Sequence, residues 1–166
     1  MSRRAAIKAE PQLQEELLSV GYLLGRARVS LLSRLDAELV PFGLSAMQFA
    51  VLKYLSRGTA RTAADLCRLM SYDTGAMTRI LDRLEETQLL RRERCREDRR
   101  VVFLRVSVSG RALLPRLLAV GERVLEAHLA GFTSTEIAAL KTYLGRMIDN
   151  GQRQGDNQRQ FSGGKA

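Results

Sequence analysis

The sequence has few of the residues that build catalytic or metal chemistry. Among 166 residues there is one histidine, His128, and there are two cysteines, Cys67 and Cys95. The cysteines form no C-x-x-C pair and match no zinc spacing, so no metal site is expected. No Ser/His/Asp set, phosphate loop or ligand cluster can be read, which argues against an enzyme and leaves no cofactor to assign. Long apolar runs are missing too: none approaches the ~20 residues that span a bilayer. The opening MSRRAAIKAEPQ lacks the apolar core of a signal peptide. A cytoplasmic protein with no membrane partner is therefore expected. Acids are scarce relative to bases, with 18 Asp and Glu against 27 Lys and Arg and a formal net charge of +9. That excess points to a polyanionic partner, although charge alone does not separate nucleic acid from an anionic membrane surface.

What is present is aliphatic and helical. At 45% hydrophobic residues the chain can bury one core or two small linked layers. Residues 1–11 read as a flexible tail. From Pro11, Leu13, Leu17, Val20, Leu24, Ala27, Leu31 and Leu35 recur at helical steps. Gly21 and Gly25 interrupt the run at a cost of ~1 kcal/mol each, which suggests close approach by another helix or, less simply, by a ligand. Val40-Pro41-Phe42-Gly43 breaks the helix. Ser45 with Gln48 forms a capping box, stapled by Leu44 and Phe49, and opens a second helix. Thr62 caps a short helix, Ser71-Tyr72 turns, and Asp73 caps the next helix. Two short helices joined by a tight turn are the helix-turn-helix signature. Leu89–Arg94 and Val101–Val106 read as strands joined by a loop at Cys95–Arg100 that is expected to be mobile. Ser107–Gly110 reads as a hinge-like break before a long helix with Pro115 in its first turn or two. Gly131 ends that helix, and Thr133 with Glu136 caps a last one. From Gly151 apolar periodicity stops, and residues 151–166 are expected to be disordered. The fold expected is mainly α (α+β): a winged helix-turn-helix over 41–108, flanked by dimerisation helices at 12–40 and 109–150. Paired on a second copy, such helices would bury their surplus apolar surface and present two reading helices.

The stretch Asp73–Arg105 carries the candidate chemistry. Thr74, Gly75 and Ala76 at a helix N-terminus suit approach to phosphate. Thr78 and Arg79, one turn on, could reach base edges, where an arginine fork on guanine is worth ~1–3 kcal/mol of discrimination. The alternative is that Arg79 and Arg83 pair with Asp82, Glu85 or Glu86 on a solvated face. Between Arg91 and Arg100 there are six arginines against three acids, and Arg94, Arg96 and Arg99 are assigned to backbone or minor-groove contact. A solvated edge strand defended by charge is the structural alternative. Asp98, an acid inside this basic loop, is expected to set the loop's shape by pairing with Arg100 or another arginine.

MTRILDRLEE, RRER and EDRRVVFLRVSVSGRALL resemble the multiple-antibiotic-resistance regulator (MarR) family of bacterial winged-helix repressors. The resemblance covers about residues 12–150 and is most specific at Asp98-Arg99-Arg100, Val106-Ser107 and Gly110. It implies a triangular homodimer held by the terminal helices, on double-stranded DNA, with one helix in the major groove and one wing in the minor groove. It places Thr74, Gly75, Ala76, Thr78 and Arg79 facing the groove, Arg96 at the wing tip, and Asp98 with Arg100 as the family's aspartate–arginine pair. Three positions depart from the pattern. Gln88 and Ser71 stand where glycine is usual, so a less sharply turned helix end is expected at Gln88, and Val106-Ser107 replaces Leu-Thr.

The family's usual switch is a small aromatic or phenolic effector, for which Tyr22, Arg26 and Tyr54 are the candidate residues, with Arg28 nearby; all could equally be interface or surface positions. Other members respond to cysteine oxidation. Here Cys67 fits a packing role, and Cys95 in the basic hairpin is the redox alternative. The urate-responsive subgroup is disfavoured by the absence of tryptophan. His128 reads as a polar helix position. The function expected is a dimeric, ligand-responsive repressor on a pseudo-palindromic operator. The alternatives are redox control through Cys95 and non-specific architectural nucleic-acid binding.

Overall fold

Leucine spacing sets the first element. The computed structural model describes residues 11–98 and 100–162, with side chains for Glu15, 17–98 and 100–153. Helix α1 runs Pro11–Leu39, and its two ends differ. Leu31 and Leu35 pack on the core and Leu39 is fully buried, whereas Leu18, Tyr22, Leu23 and Val29 are exposed. Gly21 and Gly25 lie in the exposed part, where nothing comes within 4 Å of a Cβ built on either. The close helix approach that the glycines suggested is therefore not made within the described chain. The tail expected before Pro11 lies outside the described residues.

Pro41 shapes a 3-10 turn at Val40–Phe42, and Gly43 closes it at φ +65°, a left-handed conformation that glycine adopts without penalty. Helix α2 follows at Ala46–Ser56 with the expected capping box: Gln48 N–H donates to Ser45 Oγ, and Ser45 N–H donates to Gln48 Oε1. An acid on α1 joins this cap, since Asp36 Oδ1 accepts the Ala46 N–H at 2.6 Å. Helix α3 (Ala63–Met70) is boxed by Thr62 and Asp65, and helix α4 (Thr74–Glu86) is capped by Asp73. Strands β1 (Leu90–Arg94) and β2 (Val102–Val106) pair antiparallel, from Leu90 opposite Val106 to Arg94 opposite Val102. The far edge of β2 is held as well: Leu104 N–H donates to the Arg61 carbonyl at 2.8 Å.

The hinge expected at Ser107–Gly110 is instead the start of helix α5, Val108–His128. Ser107 Oγ accepts the Gly110 N–H and donates to the Gln88 carbonyl at 2.6 Å, so it caps the helix and ties it to the end of α4. Gly110 is required there. A Cβ would collide with the Leu89 carbonyl oxygen and sit 2.8 Å from Val106 Cγ1. Pro115 lies inside α5, near its beginning.

Leu39, Leu52, Leu66, Met77, Leu81, Leu84 and Leu117 are the largest wholly buried side chains, with Val51. They form one cluster with Phe49, Leu104 and Val120. Core residues thus come from α1 and α5 as well as from the winged segment, so positions 41 and 108 mark no break in the core. The described residues fall into two compact units that divide between Leu125 and Glu126. In the second unit Thr133 and Glu136 cap helix α6, Ser134–Ser162. This helix continues through Gly151, where disorder was expected. Extending a formed helix adds a hydrogen bond for each residue fixed, so propagation needs no apolar stripe. Residues 163–166, the rest of the expected tail, lie outside the described residues. Among the described residues no single helix is long and apolar enough to cross a membrane.

Candidate nucleic-acid interface

Helix α4 is amphipathic by construction. Met77, Leu81 and Leu84 are buried and fix one face in the core. Thr74, Gly75, Thr78, Arg79 and Arg83 are exposed on the other, with Ala76 half-buried. The N-terminus is capped by Asp73, whose Oδ1 accepts the Ala76 N–H at 2.9 Å, and a Cβ at Gly75 would lie 3.2 Å from that oxygen. Thr78 Oγ1 donates to the Thr74 carbonyl, which leaves its lone pairs facing out.

The turn before α4 is held at Ser71, φ +49°, and the turn after it at Gln88, φ +59°. The expectation of a less sharply turned helix end is thus corrected. Gln88 takes the left-handed conformation that glycine usually supplies, because Leu89 N–H must reach the Leu84 carbonyl at 2.9 Å.

Ion pairing sorts the arginines into two kinds. Arg83 meets Glu86 at 3.2 Å in an exposed pair on the solvated face of α4. Arg91 and Arg105 stand directly opposite each other across the hairpin, a repulsive arrangement. Glu93 lies between them, at 2.9 Å from Arg91 and 3.4 Å from Arg105. Arg92 is bound by Asp82 and Glu85. Arg79, Arg94 and Arg96 are exposed and form no ion pair among the described residues. Part of the six-arginine run is therefore already neutralised inside the protein.

The wing loop is closed by backbone bonds from Cys95 N–H to the Val101 carbonyl and from Val101 N–H to the Asp98 carbonyl. Asp98 Oδ1 accepts the Arg100 backbone N–H at 3.0 Å. The bond between Asp98 and Arg100 is thus made through the Arg100 main chain. Arg99 lies outside the described residues. Cys95 donates its thiol to Glu97 at 2.9 Å, and that bond holds the Glu97 carboxyl below its ordinary value. The hydrogen-bond partner of this thiol among the described residues is thus a carboxylate. Cys67 packs half-buried against the core.

Tyr22 and Arg26 are exposed on α1 and Tyr54 is half-buried on α2, and no hydrogen bond or ion pair among the described residues links them.

A sequence model of the MarR family matches residues 42–101, the segment from the 3-10 turn to the root of β2. An HTH-type transcriptional repressor of Mycobacterium tuberculosis is 30% identical over 128 residues, 77% of this chain and 92% of the relative. The chain belongs to the MarR family. Solved MarR-family structures agree with the fold. A mutant MarR from Escherichia coli complexed with operator DNA aligns at TM-score 0.72 and 27% identity, over 80% of this chain and 96% of that one. BpsR of Bordetella bronchiseptica, whose structure describes regulation of its DNA binding by 6-hydroxynicotinic acid, aligns at TM-score 0.70 and 27% identity, over 78% and 93%.

Within this MarR-family frame, sequence reasoning missed the role of Arg92, which it counted among the loop's free charge. The signal was present in α4, where Asp82 and Glu85 stand three residues apart and so share a face. Asp65 was missed as the capping partner of Thr62. The Thr-x-x-Asp spacing could have shown it.

Proposed function

We propose that this MarR-family protein is a dimeric, sequence-specific DNA-binding transcriptional repressor, acting in the cytoplasm by binding rather than by catalysis. The observation that carries the reading is that Arg79 on α4 and Arg94 and Arg96 of the wing are exposed and form no ion pair among the described residues. Cations that have no acidic partner of their own are available to phosphate and base edges. In this reading Thr74, Gly75, Ala76, Thr78 and Arg79 meet the major groove, and Arg83 reaches the backbone from its exchangeable surface pair. Arg94, Arg96 and Arg99 of the wing take the minor groove or its phosphates, and Asp98 with Arg100 shapes the loop. The exposed apolar part of α1 is covered by a second copy, and a two-fold axis presents two reading helices to a pseudo-palindromic operator. A small aromatic or phenolic effector releases the DNA, with Tyr22, Arg26 and Tyr54 as contact candidates. The ligand-regulated DNA binding of BpsR supports this class of switch.

Selection of bound duplexes with the purified protein, followed by affinity measurements on the selected and random duplexes, tests the proposal. A preference of roughly 10³ or more at physiological salt is expected. Equal affinity for every duplex would leave an architectural role. Arg79→Ala should relax preference at one position per half-site, and Arg96→Ala should weaken binding on all duplexes and lower the salt slope by ~1.

A further inference from the structure

One arginine of the basic hairpin is turned toward α4. Arg92 alternates with Arg91 and Glu93 along β1, on the strand face that also carries the buried Leu90 and lies opposite Leu104. Its guanidinium divides between two carboxylates of α4: Nη2 donates to Asp82 Oδ1 at 2.7 Å and Nη1 to Glu85 Oε2 at 2.7 Å. Its backbone N–H donates to the other Glu85 oxygen at 3.2 Å. Arg92 keeps 31% of its side chain exposed, against 62% for Arg83. Partial burial opposes its charge, and the bonds and charges of Asp82 and Glu85 outweigh this and push its pKa up. The other hairpin pairs join residues of the wing to one another; this set crosses from the wing to the helix.

Three bonds to two acids one turn apart resist both sliding and rotation of α4. A rotation of ~15° would carry an atom ~6 Å from the helix axis through ~1.5 Å. That exceeds the distance range over which a hydrogen bond to a base edge survives. A planar fork is suited to such a clamp, because both arms are held by one rigid group.

We propose that Arg92 is a positioning residue for DNA reading, which fixes α4 against the wing through Asp82 and Glu85 and so sets sequence discrimination without touching DNA. The inference rests on the reading that α4 enters the major groove. It assigns one cation of the arginine run to alignment and leaves its neighbours Arg94 and Arg96 for phosphate.

The test compares wild type, Arg92→Ala, Arg92→Lys and the near-isosteric double variant Asp82→Asn/Glu85→Gln. Each is titrated with the selected duplex and a random duplex over a series of salt concentrations, and thermal melts identify variants folded at the assay temperature. Arg92→Ala is expected to lower the ratio of selected to random affinity about tenfold, the discrimination carried by one bidentate base contact, with an unchanged salt slope. The double variant is expected to lower the same ratio even though it removes two negative charges near DNA. Arg92→Lys keeps the charge but lacks the fork, and is expected to resemble Arg92→Ala. Combining Arg92→Ala with the double variant should reduce the ratio no further. A salt slope lowered by ~1 in Arg92→Ala with the ratio preserved would show a phosphate contact and overturn the proposal. An unchanged ratio in the double variant would also overturn it, independently of how Arg92→Ala folds. A wild type with no duplex preference would instead remove the functional reading itself, and the clamp with it.

Discussion

Ser71 and Gln88 hold a backbone conformation that side chains resist. At φ +49° and +59° each carries strain of roughly 1–2 kcal/mol. Replacement by glycine relieves that strain and returns roughly 0.4–1 kcal/mol to the unfolded chain's entropy. Ser71→Gly and Gln88→Gly should therefore each stabilise the protein by about 0.5–1 kcal/mol, read as raised urea midpoints with unchanged slope. The opposite holds at Gly110. The atom a Cβ would strike is the Leu89 carbonyl oxygen, which is itself fixed by accepting the Ser107 N–H. Gly110→Ala should cost about 2–3 kcal/mol and lower the thermal midpoint. The sequence carried the identities at 71 and 88 but not their dihedrals. At Gln88 a residue other than glycine suggested a looser turn, whereas the bonds on either side of it impose the tight one.

At the scale of elements, what could be read was local. Ser45, Thr62, Asp73 and Thr133 cap helices within three residues of their partners, and the two strands begin and end within one residue of their sequence limits. What could not be read joins distant positions. Ser107 bonds a carbonyl 19 residues away, so its cap looked like a hinge. Arg92 meets Asp82 only because α4 and β1 cross at one particular angle. Helix α3, eight residues long, leans on Asp65. Its carboxyl accepts the Arg61 N–H and is bonded with Thr62, and these contacts hold its pKa below the ordinary carboxylate value. A depressed folded pKa gives stability that is present above the unfolded value of ~3.9 and lost as pH falls through the folded one. Asp65→Ala should thus cost about 1 kcal/mol at neutral pH and nothing once the carboxyl is protonated. Urea unfolding of variant and wild type at pH 7 and below about pH 3 measures the difference.

Among the described residues, α1 presents an exposed apolar surface. Leu18, Tyr22, Leu23 and Val29 of α1 are 58–71% exposed, and the glycines between them face open space. If a second copy covers this helix, as proposed above, the thermal midpoint should rise with protein concentration. Sedimentation should then give twice the chain mass. Gly25→Leu separates the cases. It relieves a helix glycine at no steric cost within one chain, so it should stabilise a monomer by ~1 kcal/mol but weaken a dimer whose helices approach there. Of this larger arrangement the sequence showed the surplus of apolar helix surface. It did not show that α1 and α5 share one core with the winged segment, because that depends on Leu39 and Leu117 meeting side chains far along the chain.

The bond from Asp36 to the Ala46 N–H has a mechanical consequence. At ~1.5 Å per residue, the part of α1 that precedes Leu31, where the helix packs on the core, forms an arm about 30 Å long. The last turns of α1 are pinned to α2 by Asp36 and lie 3.9 Å from Arg123 of α5 through Glu38. An arm fixed at one end amplifies angle into distance: a tilt of ~5° at the root displaces the far tip by ~3 Å over that length. Read in reverse, a shift of a few ångströms imposed anywhere along the arm reaches α2 as a small torque on its first backbone N–H.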